Sequence, residues 1–150
     1  MSSAYVRTQV ASFIAAQFPT DKWVDLTAEF RELADILAGA SITRSTPWFA
    51  IQYVGSEEVP VDVGATNTRG TYREVGVIYI HVVDVAKIGT GAGILIRCET
   101  VRNKFRGQRL GNVVIEGVSP ANFEAGGTLQ FENGWTSASV LVSYHYDLNL

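Results

Sequence analysis

Residues Glu74 to Val85 constrain the fold of this chain more than any other stretch. They read Glu-Val-Gly-Val-Ile-Tyr-Ile-His-Val-Val-Asp-Val and are β-branched or aromatic almost throughout, which is strand chemistry. The even positions carry Ile78, Ile80 and Val82. The odd positions carry Val75, Val77, Tyr79, Val83 and Val85, with His81 among them. Neither parity is polar, so the pattern predicts a strand covered on both faces. Gly89-Thr90-Gly91-Ala92-Gly93 then breaks the strand, with Thr90 suited to cap a helix. Beyond it Ile94, Leu95, Cys98, Val101 and Phe105 recur as one apolar stripe at helical spacing. One stripe can lie on only one face of a sheet, so something else must cover the other.

The rest of the chain is arranged around that unit. Ser3 to Phe18 sets Val6, Val10, Phe13, Ile14 and Phe18 on one helical face, with Pro19 as the stop. A second helix is expected from an Asp25 N-cap to Leu37, burying Leu26, Phe30, Leu33 and Leu37 and ending at Gly39. Ala40 to Ser45 connects to a strand from Trp48 to Val54, opened by Pro47. Gly55 to Glu58 reads as a turn into an edge strand, Val59 to Val63, where Pro60 fits only an edge. Gly64 to Gly70 is a loop. Arg109 to Val118 reads as another strand, and Ser119 to Gly134 as the longest irregular stretch, with a short strand at Thr128 to Phe131. Trp135 to Leu148 alternates cleanly, with Ala138, Val140, Val142, Tyr144 and Tyr146 on one face and Ser137, Ser139, Leu141, Ser143 and His145 on the other. The expected class is α+β: a mainly antiparallel sheet of four or five strands, one crossing helix, and one or two N-terminal helices.

At 150 residues the chain is expected to be a single domain, 1–150. Its net charge of −3 argues against a dedicated nucleic-acid binder, which is usually basic. The one cysteine rules out an internal disulfide framework and suits a reducing compartment. Met1-Ser2-Ser3-Ala4-Tyr5 has no basic segment leading an apolar run, and the longest apolar run, Val75 to Val83, is too short to span a bilayer. These features predict a soluble protein that is intracellular when made.

Motifs for chemistry are sparse. The glycine corner at 89–93 lacks both the Gly-Lys-Ser/Thr ending of a phosphate loop and the spacing of a dinucleotide fingerprint. His81 and His145 fall at odd strand positions, and with Asp147 they could gather a metal if their strands were adjacent; otherwise they are hydrogen-bonded strand residues. Cys98 lies on an apolar helical stripe, where a thiol is inert. There is no Gly-x-Ser-x-Gly elbow, and Glu57-Glu58 reads as a solvated pair. No catalytic, cofactor-binding or metal residue is assigned. Charge placement is more informative. Arg97, Arg102, Lys104, Arg106 and Arg109 cluster around one helix C-terminus, while no Lys or Arg follows Arg109 and Glu116, Glu124, Glu132 and Asp147 remain. The cluster complements the helix dipole or forms a docking patch for an acidic partner or DNA phosphates. A basic end and an acidic end suit head-to-tail contact between copies.

Taken together the chain resembles the tail terminator proteins of long-tailed, lambda-like bacteriophages. The resemblance is carried by the N-terminal helix, the strand Pro47-Trp48-Phe49-Ala50-Ile51, and the lead-in Arg69-Gly70-Thr71-Tyr72-Arg73 to the long apolar strand. The single helix after that strand, and Gly134-Trp135-Thr136-Ser137-Ala138 before an alternating strand with Tyr144 and Tyr146, carry it further. Two features depart from it: the helix from Asp25 to Leu37, and Lys87-Ile88-Gly89 where proline is expected. The resemblance implies a virion protein at the head–tail junction, made and assembled in the host cytoplasm. It would form a homohexameric ring that caps the tail tube protein, stops tube growth and joins the head–tail connector protein. Genomic DNA would pass through the lumen without sequence-specific binding, and no cofactor, catalysis or membrane is implied. Subunit-interface residues would be Val75, Val77, Tyr79, His81 and Val83. Partner docking would fall to Phe123, Phe131, Arg102, Arg106 and Arg109, since apolar residues in a long loop either fold back or are held for a partner. Another connector or minor tail protein is an alternative. A small α+β enzyme is a further one, with only Tyr79, His81 and His145 available for a polar cluster.

Overall fold

Among the described residues the long apolar strand becomes the third strand of one six-stranded sheet. The computed structural model describes residues 3–26, 47–66, 69–85, 90–123 and 135–149. Among these, the elements in chain order are α1 (Ala4–Gln17), β1 (Trp23–Asp25), β2 (Trp48–Pro60), β3 (Thr71–Val85), α2 (Thr90–Phe105), β4 (Arg109–Leu110), β5 (Val113–Val118) and β6 (Trp135–Asn149). The sheet order is β1-β2-β3-β6-β5-β4, and the sheet curls into a half-barrel. β1 runs parallel to β2, while every other pair is antiparallel.

Period-two burial sorts the sheet into two unlike faces. The first takes the even residues of β3: Ile78, Ile80 and Val82 are fully buried beside Ala138, Val140, Val142 and Tyr144 of β6. Both described helices pack on it, α1 through Val6, Val10 and Ile14 and α2 through Ile94, Cys98, Val101 and Phe105. Each such side chain contributes about 1.5–3 kcal/mol when fully buried. Burial in this layer pushes the Cys98 thiol up to about 11, so it stays protonated and inert.

Local signals fix how α1 sits. Ser3 is its N-cap, its hydroxyl accepting from the Val6 amide at 3.4 Å. The Ser3 amide donates to the Glu74 carboxylate at 3.0 Å, which sets a negative charge at the helix N-terminus. Glu74 is itself buried and accepts from the Tyr144 hydroxyl at 2.8 Å. The Tyr144 ring lies over Gly76, where an added Cβ would run into the phenol. At the other end of α1, Lys104 of α2 donates to the Gln17 carbonyl at 3.0 Å.

Several expectations are corrected. Among the described residues the sheet has six strands and is mixed, with one parallel ladder between β1 and β2, where an antiparallel-dominated sheet of only four or five strands is expected from the sequence. One added strand is β1, three residues too short to show periodicity, which places Asp25 at a strand end and not at a helix N-cap. Residues 27–46, with most of the expected second helix and the connection after it, lie outside the described residues. The other comes from splitting Arg109 to Val118 into β4 and β5 at the tight turn of Gly111 and Asn112, where Gly111 takes φ 62°. Gly55 to Glu58 is no turn: β2 runs on to Pro60 through a bulge between Val54 and Ser56, so glycine marks an irregularity in the ladder instead of its end. Thr90 is the first helical residue of α2 and not its cap, and Leu95 points to solvent. The short strand expected at Thr128 to Phe131 lies outside the described residues.

Candidate functional site

The second face of the sheet carries the odd residues of β3, and its two ends differ. Read along the strands, the cross-strand rows are Trp48 and Val83; Ala50, His81 and Ser139; Gln52, Tyr79 and Leu141; Val54, Val77 and Ser143; and Glu57, Val75, His145 and Val114. In the first two rows Trp48, Ala50, His81, Val83 and Ser139 are buried, with Val24, Leu26 and Trp135 packed around the tryptophan. The Trp48 and Trp135 rings meet edge to face at 5.3 Å. From the third row onward cover thins: Val75, Val77, Tyr79 and Leu141 are only half-buried. Val54 and Val59 are exposed, and Val61 and Val63 continue the exposed valines into the loop after β2. Of the cover expected on both sides, the described helices supply only the first, because α1 joins α2 there, and over the lower half of β3 the second face is left half-buried.

A shallow depression of about 470 Å³ lies in this open half. Val75, Val77 and Ser143 form its floor, and Glu57 and Glu116 stand at its sides. The floor is low because β6 presents serine there and β5 presents Gly117 opposite Ser143. Glu116 occupies the bulge between Ile115 and Gly117, which turns its carboxylate toward His145, 2.6 Å from Nδ1. Next to it the Arg73 guanidinium makes two hydrogen bonds to the Asp147 carboxylate, at 2.7 and 2.8 Å. That pair holds the Asp147 carboxyl below its usual range and raises Arg73.

His81 is a different case. Nε2 lies 3.3 Å from the Gln52 amide oxygen and Nδ1 lies 2.7 Å from the Ser139 hydroxyl. An amide oxygen only accepts, so Nε2 carries the proton and Nδ1 accepts from the hydroxyl, the neutral tautomer. Burial lowers its pKa to about 4. His81 and His145 do share a face, but His145 pairs with Val75, six positions from His81, or roughly 20 Å along the strand. The two cannot hold one metal, and no group of three ligating side chains occurs among the described residues.

The expected interface residues thus divide. Val75, Val77 and Tyr79 line the open half, whereas His81 and Val83 are fully buried within the chain. The basic cluster disperses. Arg97 pairs with Asp84 at 3.0 Å, and Arg102 donates to the Val118 carbonyl at 3.2 Å. Arg109 reaches the Gly111 carbonyl, while Arg106 is exposed in the turn after α2. Phe123 is exposed just beyond the Asn122–Ser139 bridge, and Phe131 lies outside the described residues. Sequence reasoning missed Val54, Val59 and Leu141 on the open face; treating Gly55 as a bulge would have put both valines on it. A separate cleft of about 590 Å³ between α1 and β1 is lined by Ile14, Phe18, Trp23, Val24, Ile51 and Tyr53, and neither histidine reaches it. No helix among the described residues is long and apolar enough to cross a membrane.

No family model matches the chain, and no curated protein matches it. Among solved structures 21 chains match. One of them aligns over 100% of this chain and 99% of its own length with a TM-score of 0.50 and 13% identity. At that identity the likeness is one of fold.

Proposed function

We propose that this chain is a ring-forming structural subunit of the head–tail junction of a long-tailed phage, of the tail-terminator kind, and that it works without catalysis. The observation that supports the reading best is the asymmetry of the sheet. One face is closed by two helices, while the other leaves Val54, Val59, Val75, Val77 and Tyr79 wholly or partly open. Contiguous exposed apolar surface of this kind marks a contact with another protein. In the proposed reading a neighbouring subunit covers it, the ring caps the tube, and Phe123 on the edge of the sheet is offered to the tube or the head connector.

The test adds the purified chain to polymerising tube protein of the same phage and images the products. Tubes arrested at a fixed end, each bearing a six-fold cap, are the expected result. Tubes of undiminished length without a cap would refute the reading, and a ring bound elsewhere along the tail would point to another connector or minor tail protein.

A further inference from the structure

Leu95 and Ile96 are 43% and 68% exposed on α2, although α2 buries a complete stripe elsewhere. Helical spacing sets Ala92, Leu95, Ile96, Glu99 and Asn103 on the flank opposite Ile94, Cys98, Val101 and Phe105, with Arg106 in the turn just past the helix end, and all six are exposed. α2 packs on the first face of the sheet, so this flank looks away from the molecule in the direction opposite to the second face. The chain therefore carries two apolar patches on opposite sides, one convex and one recessed.

We propose that copies of this chain mate back to front, the Leu95–Ile96 ridge of one copy seating in the valine-floored depression of the next. The inference rests on the ring reading for self-association and adds which surfaces meet. Shape supports it: a helical ridge with two large aliphatic side chains faces a depression of about 470 Å³ floored by Val75, Val77 and Ser143. Charge supports it as well. The depression is flanked by Glu57 and Glu116, which stand three strand spacings apart, or roughly 14 Å. Arg106 follows Ile96 by ten residues, or roughly 15 Å of helix. Glu116 on β5 stands two strand spacings, or roughly 10 Å, from the valines of β3, so a helix laid across the strands with Ile96 against those valines carries Arg106 just past that carboxylate, within reach of its long side chain. Because the two surfaces differ, the contact is heterologous, and repetition yields a ring if the rotation closes and a filament if it does not.

The experiment uses two single-cysteine additions, Ile96→Cys and Val77→Cys, in the full chain, under mild oxidation at concentrations where self-association is measured. The native Cys98 is buried and stays silent. A disulfide-linked dimer from the mixture, with neither variant linking to itself, is expected; self-linking of either variant alone as strong as in the mixture would overturn the proposal in favour of a two-fold contact. Six-fold rings without a mixed dimer would overturn the surface assignment and leave the ring reading standing. Absence of both rings and dimer would overturn both. As a second measurement, Ile96→Asp at an exposed position is expected to keep the monomer's thermal melt and lose more than nine-tenths of the assembled species. Undiminished assembly of Ile96→Asp would also overturn the proposal.

Discussion

Acidification should weaken this fold in a window set by a single side chain. His81 is fully buried between the Ser139 hydroxyl and the Gln52 amide, with the Tyr79 ring stacked at 5.9 Å. Its pKa falls from 6.5 to about 4. Below pH 6.5 the unfolded chain takes up a proton there, and the folded chain does so only near pH 4. Between those values the unfolded state binds more protons, so stability falls as pH falls. At ~1.4 kcal/mol per pH unit, the gap is worth about 3 kcal/mol, a large share of a domain's stability. Urea unfolding followed by tryptophan fluorescence is well placed to read this, since Trp48 and Trp135 pack on the same face beside the histidine. Wild type is expected to lose most of that 3 kcal/mol between pH 6.5 and 4.5, and His81→Gln to be nearly flat over the same interval. Asp147 does not confuse the window: Arg73 holds its carboxyl below the ordinary value of 3.8, so its stabilising contribution is lost only at more acidic pH. A flat wild-type profile between pH 6.5 and 4.5, or an equal slope in His81→Gln, would refute the reasoning.

Three further outcomes follow from the packing. Tyr144→Phe removes a donor from the buried Glu74 carboxylate and should lower stability by about 1–3 kcal/mol, with α1 amides exchanging faster by hydrogen exchange because the same carboxylate holds Ser3. Gly76→Ala drives a Cβ into the Tyr144 ring and should cost about 1–3 kcal/mol or more in urea melts; a neutral result would mean that the ring has room to move. Phe123→Ser, at a side chain 49% exposed, should shift the melt by less than about 0.5 kcal/mol while reducing head–tail joining in a tail-assembly assay, whereas a large drop in the melt would return Phe123 to the core.

The parts of the fold that were legible in the sequence are those where one residue pattern has one structural solution. The period-two alternation of Trp135 to Leu148 and the helical stripe of Ile94, Cys98, Val101 and Phe105 agree with the burial found. So does the α1 face of Val6, Val10, Ile14 and Phe18. What escaped was decided by long-range pairing. Trp23, Val24 and Asp25 form a strand because β2 offers Phe49, Ala50 and Ile51 as partners, not because three residues have a periodicity. Gly55 suits a turn and a bulge equally by composition, and β3 on the other side of the ladder decides for the bulge. The candidate interaction face was half legible. The apolar odd residues of β3 are visible in the sequence, but which of them remain open depends on the two described helices choosing the same face, and no local signal records that choice.

β6 follows every other described strand in the sequence, yet it lies between β3 and β5 in the sheet. During synthesis, β1, β2 and β3 can pair as one unit and β4 and β5 as another, but among the described residues the two units have no common ladder until residues 135–149 emerge. At roughly 5–20 residues per second, several seconds pass in which α1 and α2 carry apolar stripes with only part of their sheet to pack against. A chain stopped before Trp135 would lose the middle of its sheet and not an edge, leaving two separate pieces, each with an unpaired strand that invites association with other chains. Completion of the sheet is thus deferred until β6 arrives, and pieces of the chain are poorly suited to fold alone.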